Sequence, residues 1–220
     1  MKVYVSAFVA MCVVAAHSAN ASSLIQNGNF SAGLSNWSTY NTSNGQSNPT
    51  TTNFDVTGNG VGPTLRLQVG DAVFPGFGRP PEGGGVYQNI ILSSLGEYAF
   101  SADIASSNIV GTNGSGGVFS LLIDGLSVAS FDTGSISSSV IRASLAYSGS
   151  LLAGTHRFSV QAARPYSVSS VHQYATNVSL QKVSAGAVPE PTAWILMISG
   201  FGMIGATMRR RAAREIMVSA

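Results

Sequence analysis

Apolar and polar side chains alternate at every second position along much of the chain between residues 22 and 183. From Tyr98 to Ile104, for example, the apolar side chains share one face and Ser101 and Asp103 lie on the other. Because a β-strand points successive side chains to opposite faces, this alternation predicts strands that bury one face. The predicted strands cover residues 65–69, 86–92, 98–104, 119–123, 126–131, 141–147, 156–160 and 178–182.

The connections between these strands are rich in glycine, serine and asparagine, and no segment of this region has the 3.6-residue apolar period of an amphipathic helix. Asp124 and Gly125 join two predicted strands and favour a type I′ turn. Residues 41–52 and 108–117 are polar and are predicted as long loops. Short strands joined by polar loops predict an all-β fold, an antiparallel β-sandwich.

The first residues have the features of a secretory signal peptide. Lys2 precedes an apolar stretch, and Ala19, Asn20 and Ala21 form a small-residue cleavage site. Residues 1–21 are therefore predicted to be removed, so that the mature chain begins at Ser22. The one cysteine of the chain lies within this segment, which excludes disulfides, thiol catalysis and thiolate metal sites from the mature protein.

Residues 192–208 form an uncharged apolar run that is long enough, at about 1.5 Å per residue, to approach the thickness of a bilayer. The basic residues that follow favour a cytoplasmic C-terminus and an external body. The residues that flank the run are Pro189, Glu190 and Pro191 before it and Arg209, Arg210 and Arg211 after it. This arrangement resembles the PEP-CTERM sorting signal of Gram-negative bacteria.

The resemblance implies recognition by an exosortase, a membrane-embedded protease for which the Pro-Glu-Pro motif is a substrate. It also implies export through the inner membrane, transient anchoring, and release to the cell surface or extracellular matrix with extracellular polysaccharide as a partner. The predicted layout is a signal peptide at 1–21, a β-sandwich at 22–183, a linker at 184–188 and the sorting signal at 189–214. In that signal, the motif spans 189–191, the transmembrane helix 192–208 and the basic tail 209–214.

The charge of the body differs from that of the whole chain once the two targeting segments are set aside. Between residues 22 and 188 there are six basic and seven acidic residues, a net charge near −1. A body without a basic surface excludes nucleic-acid binding. Its abundant serine, threonine, asparagine and glycine are compatible with uncharged sugar partners.

The start of the predicted mature chain carries a second resemblance. Asn27, Gly28 and Phe30, followed by Gly33 and Trp37, are similar to the opening of galactose-binding-like jelly-roll domains, which include carbohydrate-binding modules. Further similar segments are residues 86–90, 96–100, 123–125 and 177–180. The resemblance implies a jelly-roll body with Phe30 and Trp37 in its core. Ser31 and Thr176 stand where acidic residues are common in the family, which puts its structural calcium in doubt, and no other cofactor or metal is expected.

Aromatic side chains in loops are the candidates for glycan contacts, because a sugar ring can stack on an exposed aromatic face. One set lies in the glycine- and proline-rich segment 73–85, where the alternative is that the phenylalanines only pack the loop onto the sandwich. The second set lies in a segment near residue 170 that is predicted as a loop with His172. The candidates are Phe74, Phe77, Arg79, Tyr166 and Tyr174.

Catalytic motifs are absent from the sequence: there is no G-x-S-x-G, no H-E-x-x-H and no close histidine pair. His156 is predicted as a core or strand-end histidine, Asp124 in its turn and Asp55 as a loop cap. The sequence therefore favours a non-catalytic, exported protein that binds exopolysaccharide. A purely structural surface protein without a ligand is the alternative, and a polysaccharide hydrolase is the least favoured hypothesis.

Overall fold

The computed structural model of the protein describes residues 22–73, 80–110 and 114–183, together with residues 199 and 201. Within these ranges the protein is an antiparallel all-β structure of fourteen strands. The strands are β1 Ser38–Asn41, β2 Gly45–Gln46, β3 Thr50–Phe54, β4 Gly62–Leu67, β5 Gly70–Asp71, β6 Glu82–Leu92, β7 Gly96–Asn108, β8 Gly114–Ser115, β9 Val118–Ile123, β10 Leu126–Asp132, β11 Ser135–Ile136, β12 Val140–Leu151, β13 Gly154–Arg164 and β14 Val171–Lys182.

Ten of these strands form two five-stranded sheets. The first sheet has the order β1-β6-β13-β9-β10 and the second the order β12-β7-β14-β4-β3. The remaining strands form two short ribbons, β2 with β5 and β8 with β11. All pairings are antiparallel, as the sequence predicted for a β-sandwich.

A single main core lies between the two sheets and contains the alternating apolar residues of both. Phe158 of the first sheet and Phe100 of the second meet there edge to face, with ring centroids 5.2 Å apart. The predicted inner faces of residues 98–104 and 119–123 are buried, which confirms those assignments. The turn at Asp124 and Gly125 has positive φ at both residues (52° and 83°), as a type I′ turn requires.

The opening motif forms a compact corner that packs on β14. Phe30 and Trp37 are buried in the core, as expected, and their rings stack with centroids 5.2 Å apart. The Asn27 side chain donates to the carbonyls of Gly33 and Ser35 (2.9 and 3.0 Å), and its main-chain carbonyl accepts from the Trp37 indole (3.0 Å). Gly28 is required because a Cβ at that position would clash with the Val178 carbonyl.

The structure differs from the sequence expectation at the sheet edges and in β14. Residues 41–52 were predicted as a loop, but β2 and the first residues of β3 lie there, on the polar margin of the fold. β14 begins at Val171 rather than near residue 178, because its first part is buried on both faces and shows no alternation. Lys182 was predicted on the inner face and is exposed, since it lies beyond the core.

The signal peptide with Ala19 and Ala21, the loop at 74–79 and the sorting segment lie outside the described residues, except for residues 199 and 201. The chain divides into two compact units after Lys182, and the sandwich lies in the first. None of the helical residues that the structure describes belongs to a helix long and apolar enough to cross a membrane. The domain limits stay predictions.

Candidate functional site: a tyrosine–arginine face on the first sheet

The outer face of the first sheet carries a cluster of large polar side chains. On β6 and β13 the side chains of Val86, Phe158 and Val160 point into the core, so the residues between them point outward. In the register of the sheet, Tyr87 is opposite both Ser38 and Ser159, and Gly85 is opposite both Tyr40 and Gln161. The cluster, here named the tyrosine–arginine face, consists of Tyr40, Tyr87, Arg157, Ser159 and Gln161.

The Arg157 guanidinium is the centre of this face. Its Cζ lies 3.6 Å from the centroid of the Tyr87 ring and 4.7 Å from that of Tyr40. The two tyrosine rings are 6.0 Å apart and inclined by 67°. A guanidinium at these distances from aromatic faces is held by cation–π attraction, which orients its N–H groups without the help of a carboxylate.

A glycine makes room for the arrangement. Tyr40 lies on β1 and Gln161 on β13, with Gly85 of β6 between them. Because Gly85 has no side chain, the Tyr40 ring can cross β6, and its hydroxyl donates to Oε1 of Gln161 at 3.0 Å. A Cβ at Gly85 would also clash with the carbonyl of Val160. Gly85 is the last residue of the Gly83-Gly84-Gly85 run, which is unusual within a strand, and it lies between the Tyr40 and Gln161 positions of the face.

The electrostatics of the face leave the Tyr40 hydroxyl and the Arg157 guanidinium as hydrogen-bond donors. Burial raises the pKa of Tyr40 above its ordinary value of 10.0, although Ser159 and Arg157 oppose this effect, so the phenol stays protonated at neutral pH. Among the residues that the structure describes, no carboxylate forms an ion pair with Arg157, and its Nε is buried without an acceptor. The face thus combines aromatic surface with an unneutralised cation, which suits an oxygen-rich ligand.

A second polar site, here named the Asp103 pocket, lies on the outer side of the second sheet. It is a cavity of about 340 Å³ lined by Val56, Thr57, Asn59, Asp103, Arg142, Ala143 and Ser144. Asp103 accepts hydrogen bonds from the Ser144 hydroxyl (2.5 Å) and the Asn177 amide (2.8 Å). Both oxygens of the Asp103 carboxylate therefore already accept hydrogen bonds from side chains of the protein.

A short loop closes one side of the Asp103 pocket, and Asp55 organises it. As the sequence predicted, Asp55 caps this loop, because its Oδ1 accepts from the main-chain N–H groups of Gly58 and Gly60 (2.7 and 3.3 Å). Arg142 donates to the Asp55 carbonyl at 3.1 Å and to its Oδ2 at 3.4 Å, which ties the loop to β12. The Asp103 pocket is thus preorganised, but no aromatic ring lines it.

The predicted glycan contacts are not brought together. Tyr166 is 46% exposed in the turn after β13, and its ring centroid is 5.8 Å from the Arg164 guanidinium. Tyr174 lies in β14, not in a loop as expected, and is buried with its ring stacked on Phe54 at 3.9 Å. It therefore has no open face toward a sugar. The candidates Phe74, Phe77 and Arg79 and the sorting residues Pro189, Glu190, Pro191, Arg209, Arg210 and Arg211 lie outside the described residues.

The two histidines within the described residues, His156 and His172, both lie in strands. His156 lies near the start of β13, where its Nδ1 and Nε2 are 2.6 Å from Oδ2 of Asp124 and 3.1 Å from the carbonyl of Leu152. The bond to Asp124 raises the pKa of His156, while burial opposes it. His172 lies on β14 beside Tyr174, and burial together with Arg66 lowers its pKa. No group of three His, Cys, Asp or Glu residues within the described ranges could hold a metal ion.

Sequence reasoning missed the tyrosine–arginine face. Tyr40 belongs to an edge strand that the polar pattern did not predict, and Arg157 lies at a polar position of the predicted strand 156–160 without any chemistry assigned to it. The usable signal was the run of three glycines at residues 83–85, directly before the predicted strand 86–92. A side-chain gap of that size indicates that a neighbouring group crosses the strand.

Comparison with known proteins gives one match in sequence and several in structure. Residues 187–211 match the PEP-CTERM protein-sorting motif, and no curated protein sequence matches the chain. A putative sugar binding protein from Bacteroides thetaiotaomicron is 10% identical, with 73% of this chain and all of that chain covered and a TM-score of 0.47. The module TmCBM61, solved with β-1,4-galactotriose, is 8% identical over 73% of this chain and 99% of that chain, with a TM-score of 0.39.

The enzymatically active domain of tailspike protein 4 from bacteriophage CBA120 is also similar, at 17% identity and a TM-score of 0.46; it is matched over 73% of this chain and only 21% of its own length. At these identities and TM-scores the likeness concerns strand arrangement alone, and it extends both to an enzyme and to sugar-binding proteins. The sequence match to a known family therefore concerns the C-terminal segment. Through residues 187–211 the chain carries a PEP-CTERM protein-sorting motif, which implies secretion and transient membrane anchoring before exosortase processing.

Proposed function

We propose that this protein is an exported, non-catalytic polysaccharide-binding protein whose sandwich binds a glycan at the tyrosine–arginine face. The observation that carries the proposal is the Arg157 guanidinium stacked on Tyr87 and adjoining Tyr40 on the outer face of the first sheet. Tyr40 and Tyr87 are half-buried, and the ring surface that Arg157 leaves uncovered can meet the C–H surface of a sugar. A guanidinium without an ion-pair partner donates to the sugar oxygens.

The sorting motif supports the location of this activity. A chain with a PEP-CTERM motif at residues 187–211 passes the inner membrane and meets an exosortase. We place removal of the signal peptide after Ala21 and exosortase processing near Pro189, Glu190 and Pro191, with the body at residues 22–183. The final location would be the cell surface or the matrix, where extracellular polysaccharide is the abundant ligand.

Two hydrogen-bonded carboxylates, Asp103 and Asp124, support the non-catalytic part of the proposal. Asp103 is hydrogen-bonded to Ser144 and Asn177, and Asp124 is paired with His156 and the Arg157 main-chain N–H. Carboxylates engaged in this way serve the fold, whereas a glycosidase requires two carboxylates that face one scissile bond. A purely structural role without a ligand is the alternative that the experiment must separate.

The experiment is affinity electrophoresis of residues 22–188 through gels that contain exopolysaccharide from the producing bacterium or a panel of neutral and acidic glycans. Each gel is run with calcium and with chelator. Retardation on one glycan supports the proposal, and equal retardation with and without calcium indicates that no cation is involved. Uniform mobility on every glycan favours the structural alternative. Release of reducing sugar during the assay would contradict a non-catalytic role.

Variants locate the binding surface. Arg157→Ala removes hydrogen bonds from a charged donor, which contribute about 1.5–3 kcal/mol, so affinity should fall by about tenfold or more. Arg66→Ala, on the second sheet, makes the same change of net charge and is the matched control. Tyr166→Ala tests the exposed loop tyrosine, and Asp103→Asn tests the Asp103 pocket. If either of these abolishes retardation while Arg157→Ala does not, the ligand binds elsewhere than at the tyrosine–arginine face.

A further inference from the structure

One end of the sandwich contains several chain turns that can be identified from strand direction. β6 ends where β13 begins, with Leu92 opposite Gly154, and β12 ends where β7 begins, with Leu151 opposite Gly96. β14 runs antiparallel to β7 and therefore ends at the same end of the fold. The turn between β9 and β10 also lies on this side, because Ile123 is opposite Phe158 near the start of β13. We name this region the tether end.

Four large aliphatic side chains are exposed at the tether end. Ile91 precedes the last residue of β6, Leu95 lies in the turn from β6 to β7, Leu126 begins β10 and Leu152 lies in the turn from β12 to β13. Their side chains are between 62% and 77% exposed. Single exposed aliphatics are common on soluble proteins, but four at one end of the fold can enter an apolar phase together.

Both described ends of the sandwich emerge at the tether end. Near the N-terminus, the Leu24 N–H donates to the Leu180 carbonyl at 2.7 Å, and the Ser23 hydroxyl accepts from the Leu180 N–H at 3.1 Å. At the other terminus, Val183 directly follows β14, and the PEP-CTERM motif begins at residue 187. The predicted membrane segment begins at Thr192, nine residue steps after Val183, and nine steps span at most about 32 Å when fully extended. The connection to that segment therefore starts from the tether end of the body and not from the opposite end.

Charge at the tether end does not oppose contact with lipid. Glu97 and Lys182 lie at the ends of their strands, and Asp124 is paired with His156. The opposite charges of Glu97 and Lys182 cancel in the net charge of this end, and the Asp124 carboxylate is paired with the His156 imidazole. Adsorption to headgroups would then depend on burial of the aliphatic side chains rather than on attraction to anionic lipid.

We propose that the tether end rests on the lipid bilayer while the chain is anchored, with Ile91, Leu95, Leu126 and Leu152 inserted among the headgroups. The inference extends beyond glycan binding and does not depend on it. In this orientation the sandwich stands on its turns, and the outer faces of both sheets remain accessible to solvent. Cleavage of the anchor removes the covalent tether, and the weak apolar contact alone no longer retains the body.

The test reconstitutes the full chain into vesicles of phosphatidylethanolamine and phosphatidylglycerol that contain no other protein. The vesicles are recovered by flotation. In a Cys12→Ser background, Leu152→Cys places an environment-sensitive fluorophore at the tether end. Val110→Cys places the same fluorophore at the opposite end, on a residue that is also well exposed (63%) and serves as the matched control. Interfacial side chains lie about 5–10 Å into the headgroup boundary, so shallow doxyl-labelled lipid should quench the first label and leave the second unchanged.

A second measurement separates insertion from mere proximity. With the fluorophore at Ile91→Cys, the substitutions Leu95→Ser, Leu126→Ser and Leu152→Ser should abolish the blue shift and the lipid quenching. Ile109→Ser together with Val110→Ser should leave both unchanged. Equal quenching at positions 152 and 110, or full aqueous exposure of both labels, would overturn the proposal. The exposed aliphatic side chains would then be candidates for contact with a protein partner.

Discussion

Removal of the Phe158 ring should weaken the contact between the two sheets more than any surface change. Phe158 is fully buried on the central strand of the first sheet, and its ring meets that of Phe100 from the second sheet at 5.2 Å and 75°. Phe158→Ala deletes buried surface and leaves a cavity, which together cost about 3–5 kcal/mol. For a domain of this size that loss lowers the Tm by roughly 6–20 °C. Because domains are stable by only about 5–15 kcal/mol, a large part of the stability would be lost.

The measurement is urea unfolding of residues 22–188, in which Trp37 is the only tryptophan and reports from the core. The change is read from the midpoint at constant m-value. Val61→Ala, at a position that is 73% exposed, is the control and should change stability by less than about 0.5 kcal/mol. A double-mutant cycle with Phe100→Leu should give a coupling of about 0.5–1.5 kcal/mol for the edge-to-face pair. A loss below about 1 kcal/mol for Phe158→Ala would refute the packing of the two sheets at this point, since cavity formation in a core costs more.

Three further predictions concern the corner, the paired histidine and the sorting motif. Gly28→Ala should destabilise the body strongly, whereas Gly62→Ala, where a Cβ meets no atom within 4 Å, should not, as thermal melts would show; similar losses would contradict the contact with Val178. His156 has a raised pKa and Asp124 a lowered one. The stability from their pair is therefore complete between the ordinary pKa values of Asp124 and His156, 3.8 and 6.5, falls as pH rises through the folded pKa of His156, and falls in acid through the folded pKa of Asp124. His156→Gln should flatten the stability profile above pH 6, and an unchanged slope would refute this. Glu190→Ala should leave the folded body unaltered but block exosortase processing, and normal processing in cells would show that the motif is not read there.

Much of the fold could be predicted because its central strands face solvent on one side and the core on the other. Residues 98–104 and 119–123 alternate for that reason, and their buried faces are the predicted ones. The edge strands β1 and β3 could not be predicted, since polar residues at a sheet margin show no apolar period. The first half of β14 was missed for the opposite reason: burial on both faces removes the alternation and hid the position of Tyr174.

The sequence could not bring the members of the candidate site together, because they come from separate strands and the glycine run at residues 83–85 marks a position on β6 alone. Tyr40, Tyr87 and Arg157 meet only when the register places β1, β6 and β13 side by side. The spacing of these residues along the chain carries no trace of that pairing.

The amino-acid sequence by itself determined the all-β class, the turn at Asp124 and Gly125, and the sorting motif at residues 187–211, because each depends on local periodicity, local backbone conformation or a linear signal read by another protein. Only the tertiary structure decided which outward side chains share a face and which turns share an end. Those relations follow from strand order and register, which are set by long-range hydrogen bonding and by burial of the common core.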